Sequence, residues 1–194
     1  MKDKIKVFLI AAAIVLMIGA SYYFYQKLSE KELSENSNTS SEISTESQTS
    51  SSEQSAPDFK VYDADGNSVN FSSFVGKPVV INFWASWCGP CQSELPYFQK
   101  AYEAYGKDVN FLMVSLTGNG NDSIDSVKYI ISENNYTFPV YYDNDNEAAI
   151  QYGIRSIPMS CFIDENGNIQ NVHIGAMQEE TLMSAVNELI SKEK

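Results

Sequence analysis

Two cysteines separated by a Gly-Pro dipeptide, Cys88-Gly89-Pro90-Cys91, are the residues whose type and spacing can do chemistry. The apolar run Pro78-Val79-Val80-Ile81-Asn82-Phe83 precedes them and has the β-branched content of a buried strand. After Cys91, the residues Leu95, Phe98, Tyr102 and Tyr105 recur at helical spacing, and Pro90 falls where a helix start tolerates proline. The pair therefore sits where a strand hands over to a helix. A thiol there meets the positive end of the helix macrodipole and free backbone N–H groups, which favour the thiolate. A thiolate attacks disulfides, and a second thiol two residues on can attack the resulting mixed disulfide and release the partner. Cys88, at the helix mouth, is the expected nucleophile. Cys91, one turn further in, is the expected resolving thiol, buried and with the higher pKa.

Two plainer readings compete. A Cys-x-x-Cys can be half of a zinc site, but there is no second such pair and His173 is the single histidine, so four N/S ligands at normal spacing are not available. The pair could also be a structural disulfide. The third cysteine, Cys161, lies in the apolar stretch Met159-Ser160-Cys161-Phe162-Ile163 and reads as a small buried hydrophobe. His173 reads as an ordinary strand residue. No glycine-rich phosphate loop and no Cys-x-x-Cys-His haem motif occur, so no bound cofactor is expected.

Trp87 through Cys91 resembles the thioredoxin superfamily, and the core Trp-Cys-Gly-Pro-Cys is identical to the motif of thioredoxin itself. The longer pattern Cys88 to Pro96 is similar to the membrane-anchored, extracytoplasmic TlpA/ResA-like branch. The resemblance implies a thioredoxin-like α/β fold over residues 57–194, a mixed sheet with helices on both faces, an N-terminal β-hairpin and a central insertion. It maps Pro158, in Ser156-Ile157-Pro158-Met159, to the cis-proline loop facing the cysteines, and makes the backbone at Ile157 a partner for an extended substrate. Trp87, Gly89 and Pro90 complete the surface a substrate meets, whereas Trp84 reads as core. The buried aspartate of thioredoxin has Asn82 in its place, which cannot titrate. The branch has a glutamate where this chain has Glu94, which implies that Glu94 accepts the Cys91 proton. Glu94 follows Cys91 by three residues and so shares its helix face.

Phe59–Tyr62 and Ser68–Phe71 alternate around the turn Asp63-Ala64-Asp65-Gly66-Asn67, a hairpin pattern. Val109–Leu116 reads as a second buried strand. Asp122 or Ser123 can cap a helix carrying Ile124, Val127, Ile130 and Ile131. Phe138–Tyr142 is extended, Asn146–Tyr152 is a short helix closed by Gly153, and Met159–Ile174 is a second hairpin. A last helix from about Gln178 to Ile190 turns Leu182, Val186, Leu189 and Ile190 inward.

Ahead of this domain, Lys2, Lys4 and Lys6 precede an uncharged run from Val7 to Tyr25, about the length that crosses a bilayer. Gly19-Ala20-Ser21 would suit a cleaved signal peptide, but the run continues into Tyr22, Tyr23, Phe24 and Tyr25, an interfacial aromatic belt. Residues 1–27 therefore read as a signal-anchor, N-terminus in the cytoplasm and the remainder outside. Residues 28–56, rich in Ser, Glu, Thr, Asn and Gln, read as a disordered tether. The net charge of −12 argues against nucleic acid as a partner.

The expected activity is thiol–disulfide exchange at the outer face of a cell membrane. Reduction of disulfides in exported proteins is the first reading, because thioredoxin shares the Gly-Pro dipeptide and has a potential of about −270 mV, against about −120 mV for DsbA. Such a reductase needs a membrane electron donor, and the resemblance implies one of the CcdA or DsbD type. The client stays open between an apocytochrome, an oxidised methionine sulfoxide reductase and a general pool of secreted proteins. Disulfide formation or isomerisation by the same residues is an alternative, and a non-catalytic binding or chaperone-like module is another.

Overall fold

A computed structural model describes residues 54–191. The expected anchor, most of the expected tether and the last three residues lie outside the described residues. Strand β1 (Gln54–Ser55) occupies the end of the stretch read as tether and pairs antiparallel with β8 (Asn168–Ile174). Between them run β2 (Lys60–Tyr62), β3 (Ser68–Asn70), a 3-10 turn (Phe71–Phe74), β4 (Val79–Trp84), α1 (Gly89–Tyr105), β5 (Asn110–Ser115) and α2 (Ile124–Glu133). Then follow β6 (Val140–Tyr142), α3 (Glu147–Gln151) and β7 (Met159–Ile163), and α4 (Glu179–Ser191) closes the domain.

The strands form one eight-stranded sheet in the order β1-β8-β7-β4-β5-β6-β2-β3. The central strand β4 is parallel to β5 and antiparallel to β7. All six of its residues are buried, which is why its sequence is a continuous apolar run rather than an alternation. The strand period of two sorts them between two cores. Val80 and Trp84 face a layer with Leu95 and Phe98 of α1, Val127 of α2, and Leu182 and Val186 of α4. Val79, Ile81 and Phe83 face the opposite layer, where Phe59, Val61 and Phe71 of the N-terminal hairpin meet Ala148 of α3. Helices thus cover both faces of the mixed sheet, the expected thioredoxin-like arrangement.

The N-terminal hairpin forms as the sequence indicates. The Asp63 carboxylate accepts from the backbone N–H groups of Asp65 and Asn67, and Gly66 takes φ +84° in that turn. Helix α1 runs through Pro96, which has no N–H for the Gln92 carbonyl, because Leu95, Phe98 and Ala101 are fully buried around that break. Of the two candidate caps for α2, Ser123 is the one used: its hydroxyl accepts from the Ser126 N–H. Asp122 points elsewhere, to the loop before the cysteines.

Backbone approach is closest at Gly118. Its N–H donates to the Asp143 carbonyl at 2.9 Å, and a Cβ added there would lie 2.5 Å from the Asn144 carbonyl oxygen. Asp143 in turn is buried and accepts from the N–H groups of Ala148 and Ala149 at the start of α3. This contact holds the loop after β5 against the loop after β6. Gly118→Ala is expected to destabilise the protein by about 1–3 kcal/mol, since the clash is with backbone and exceeds the roughly 0.4–1 kcal/mol gained in the unfolded chain. A urea titration of the full chain measures it, and an unchanged or raised midpoint contradicts the close approach.

Candidate active site

The strand-to-helix handover sets the cysteines in place. Cys88 is the residue before α1, with extended backbone, and its Sγ accepts from the Cys91 N–H at 3.2 Å. The two sulfurs are joined as a disulfide, with the Cα atoms 5.2 Å apart. Cys91 is fully buried and Cys88 is 5% exposed, so Cys88 is the more accessible, though less open than its position at the helix mouth suggests. Trp87 beside it is 56% exposed, and Trp84 is buried in the core, both as read from the sequence. Gly89 and Pro90 are exposed on the first turn of α1.

Two side-chain contacts clamp this loop. The Asp122 carboxylate accepts from the Ser86 backbone N–H at 2.8 Å and from the Ser86 hydroxyl, and Ser115 also donates to it at 3.2 Å. The Gln92 side-chain amide donates to the Ser86 carbonyl from the other side. A residue two positions before Cys88 is thereby fixed through its own N–H, its hydroxyl and its carbonyl. Asp122 escaped the sequence reading because its position before a helix made capping the ready explanation.

Across from the disulfide lies the loop leading into β7. The Ile157–Pro158 peptide bond is cis, as the resemblance implied for Pro158. The Ile157 carbonyl oxygen is 3.9 Å from Cys88 Sγ. Trp87, Cys88, Pro90, Leu116, Ile154 and Ile157 border an open groove of about 470 Å³ at this point. It is a mostly apolar surface with the reactive sulfur at its edge.

Glu94 is the other departure from an ordinary helix surface. It is 1% exposed, one turn beyond Cys91 on the inward face of α1. One carboxylate oxygen accepts from the Asn82 side-chain amide at 2.8 Å, and the other from the Met177 backbone N–H at 2.7 Å. Asn82 also donates to the Ser160 hydroxyl at 3.0 Å, its register partner across β4 and β7. The Asn82 side-chain oxygen, Oδ1, is buried with no partner among the described residues. Burial raises the Glu94 pKa to about 7, and the two donors offset only part of that rise. Asn82 does not replace a titrating aspartate in kind; it anchors the carboxyl that titrates. The strand alternation that places Asn82 and Ser160 on the α1 side could have found both residues, whereas Met177, far along the chain, left no signal.

Cys161 is fully buried in the opposite core, and burial pushes its thiol up to about 12, so it stays protonated and apart from the Cys88–Cys91 pair. His173 is a half-buried residue of β8, opposite Ser160 in register.

A disulfide at a helix N-terminus, a cis-proline loop facing it and a buried carboxyl one turn behind it define a thioredoxin-like exchange site. The chain belongs to the AhpC/TSA family, whose model matches residues 53–172. It is 37% identical over 139 residues to the thiol-disulfide oxidoreductase ResA of Oceanobacillus iheyensis, covering 69% of this chain and 70% of that protein. Among solved structures it is similar to StoA from Bacillus subtilis, with a TM-score of 0.59 and 32% identity, over 68% of this chain and 97% of that one. The exposed lipoprotein thioredoxin Etrx1 of Streptococcus pneumoniae gives a TM-score of 0.60 and 31% identity, over 69% and 100% of the two chains. The protein is a thioredoxin-like thiol–disulfide oxidoreductase.

The Glu94 carboxyl keeps its proton in the folded protein up to about pH 7, while its ordinary value is 4.5. Between those values the folded state binds more protons than the unfolded chain. The contribution of Glu94 to stability is therefore complete below about pH 4.5 and is lost as pH rises through about 7. Oxidised Glu94→Gln is expected to gain about 3 kcal/mol on the wild type across that window. Urea titrations of both proteins at pH 4.5 and pH 8 measure the difference, and no change between the two pH values contradicts a buried ionisable carboxyl.

Proposed function

We propose that this protein reduces disulfide bonds of exported polypeptides on the outer side of the cell membrane. The observation that carries the reading is the position of Cys88. Its sulfur stands at the N-terminus of α1, facing the Ile157 carbonyl, on the border of an open groove beside exposed Trp87. An extended client segment laid along residues 155–158 reaches that sulfur, and main-chain pairing there gives affinity without strict sequence choice. The Cys88 thiolate attacks one client sulfur; the client S–S bond breaks, and the other client sulfur leaves and takes up a proton. Cys91 then attacks Cys88 Sγ, with Glu94 accepting the Cys91 proton. The client departs as a dithiol, two electrons have passed to it, and the Cys88–Cys91 disulfide is restored. A proton acceptor with a pKa of about 7 suits that step at neutral pH.

The direction rests on the Gly89-Pro90 dipeptide shared with thioredoxin, at the reducing end of such couples at about −270 mV. The location rests on the lysine-flanked apolar run Val7–Tyr25 and the polar stretch 28–53 that leads to β1, read as an anchor and a tether. The description of Etrx1 as an exposed lipoprotein supports an extracytoplasmic setting by analogy. A membrane electron donor of the CcdA or DsbD type then resupplies two electrons per cycle. Cytochrome c biogenesis is one process with clients of this chemistry.

Trapping separates the steps. The Cys91→Ser protein is expected to hold oxidised client proteins as reducible adducts on Cys88, and Cys88→Ser to hold none. Glu94→Gln is expected to form the mixed disulfide normally and to release reduced client about 10²-fold more slowly. Equal capture by both cysteine variants contradicts the assignment of Cys88. Net oxidation of dithiol clients, with no reduction of disulfide-bonded ones, would move the reading to disulfide formation or isomerisation.

A further inference from the structure

Arg155 is the single arginine of a chain that carries 25 acidic residues and a net charge of −12. It stands in the loop before Pro158 and lines the groove at Cys88. The same groove continues away from the cysteines: Leu116, Asn119, Ile154 and Arg155 also line a second hollow of about 460 Å³, which ends at Ile150, 74% exposed. Among the described residues, no carboxylate lines either part. Arg155 is itself exposed, and among the described residues it has no acidic partner; the ion pairs there are Lys60–Asp145 and Lys100–Glu179. The acid-rich chain thus leaves this track without carboxylates, as it does the hollow beside Lys128, but places its one guanidinium here, next to Cys88, with no ion-pair partner among the described residues. Guanidinium is suited to bidentate pairing with a carboxylate.

We propose that this track is the client-docking surface and that Arg155 selects client segments with an acidic residue close to the target cysteine. The inference rests on the exchange reading above and adds the charge of the substrate to it. The occupant is an extended polypeptide that lays apolar side chains over Leu116, Ile154 and Ile150 and brings an Asp or Glu to Arg155. The net acidity of the chain works against carboxylates at most other points near the groove, so a client carboxylate is favoured at Arg155, which gives register as well as affinity.

The test uses the reduced full-length protein and two disulfide-bonded peptides, identical except for Glu or Lys at the residues flanking the target cysteine. The readout is the ratio of their second-order reduction rates, which does not depend on how much active protein each preparation holds. Wild type is expected to favour the Glu peptide by about three- to tenfold at low salt, with the preference fading as ionic strength rises. Arg155→Lys is expected to keep only the charge-dependent part of the preference, Arg155→Ala to abolish it and Arg155→Glu to reverse it. Equal rates in wild type overturn the proposal and leave the groove to another occupant, such as this chain's own glutamates or a second copy. The same preference in Arg155→Ala also overturns it, because the charge read then lies elsewhere. Failure to reduce either peptide overturns the exchange reading together with this one.

Discussion

The carboxyl group of Glu94, buried in the apolar layer between α1 and the sheet, is the constraint around which the site is arranged. Left alone there it would be costly to ionise and would simply stay neutral. The fold instead supplies two donors from distant parts of the chain, Asn82 on the central strand and the Met177 N–H ahead of α4. They soften the burial without cancelling it, and the group ends near pKa 7 rather than in the usual carboxylate range. This position accounts for several choices at once. Asn82 occupies a fully buried strand site that would otherwise be apolar, Ser160 takes its second amide hydrogen, and the segment before α4 is held against α1. A proton site poised near neutrality and one helical turn from the buried Cys91 is the kind of group that exchange chemistry can use.

The front of the site follows a different logic. Cys88 and Trp87 must meet a partner, so the loop carrying them is exposed at the tryptophan, yet it cannot be loose. Asp122 and Gln92 hold Ser86 from two sides, and the Gly118–Asp143 contact steadies the neighbouring loop that forms the groove wall. The back of the site is packed core, and the front is a braced loop over an open surface. Rigid support thus lies behind a groove that is open rather than enclosed.

The local parts of this arrangement were legible in the sequence. The Cys-x-x-Cys at a strand-to-helix junction, the Asp63 turn and the amphipathic last helix all follow from short-range spacing, and the structure places them close to their expected residues. Glu94 was legible only through resemblance, because a helix carboxylate is ordinarily solvated. Its burial depends on Asn82, 12 residues earlier, and on Met177, 83 residues later, and such pairings exist only once the sheet is assembled. Asp122 shows the opposite difficulty. Its local context offered a sufficient role as a helix cap, which Ser123 fills, while its contact to Ser86 spans 36 residues. Strand β1 was hidden for a simpler reason. A two-residue edge strand of Gln and Ser has no periodicity to detect and is defined by its pairing with β8.

The measurement that bears most directly on the proposed chemistry is the reduction potential of the Cys88–Cys91 pair in the full-length protein. It is obtained by equilibration against thiol buffers of defined potential at pH 7. A value near or below about −270 mV, the thioredoxin range, is the result expected of a dithiol that donates electrons to exported proteins. A value near about −120 mV, the range of a strong oxidant, contradicts it and makes the same residues a source of disulfides.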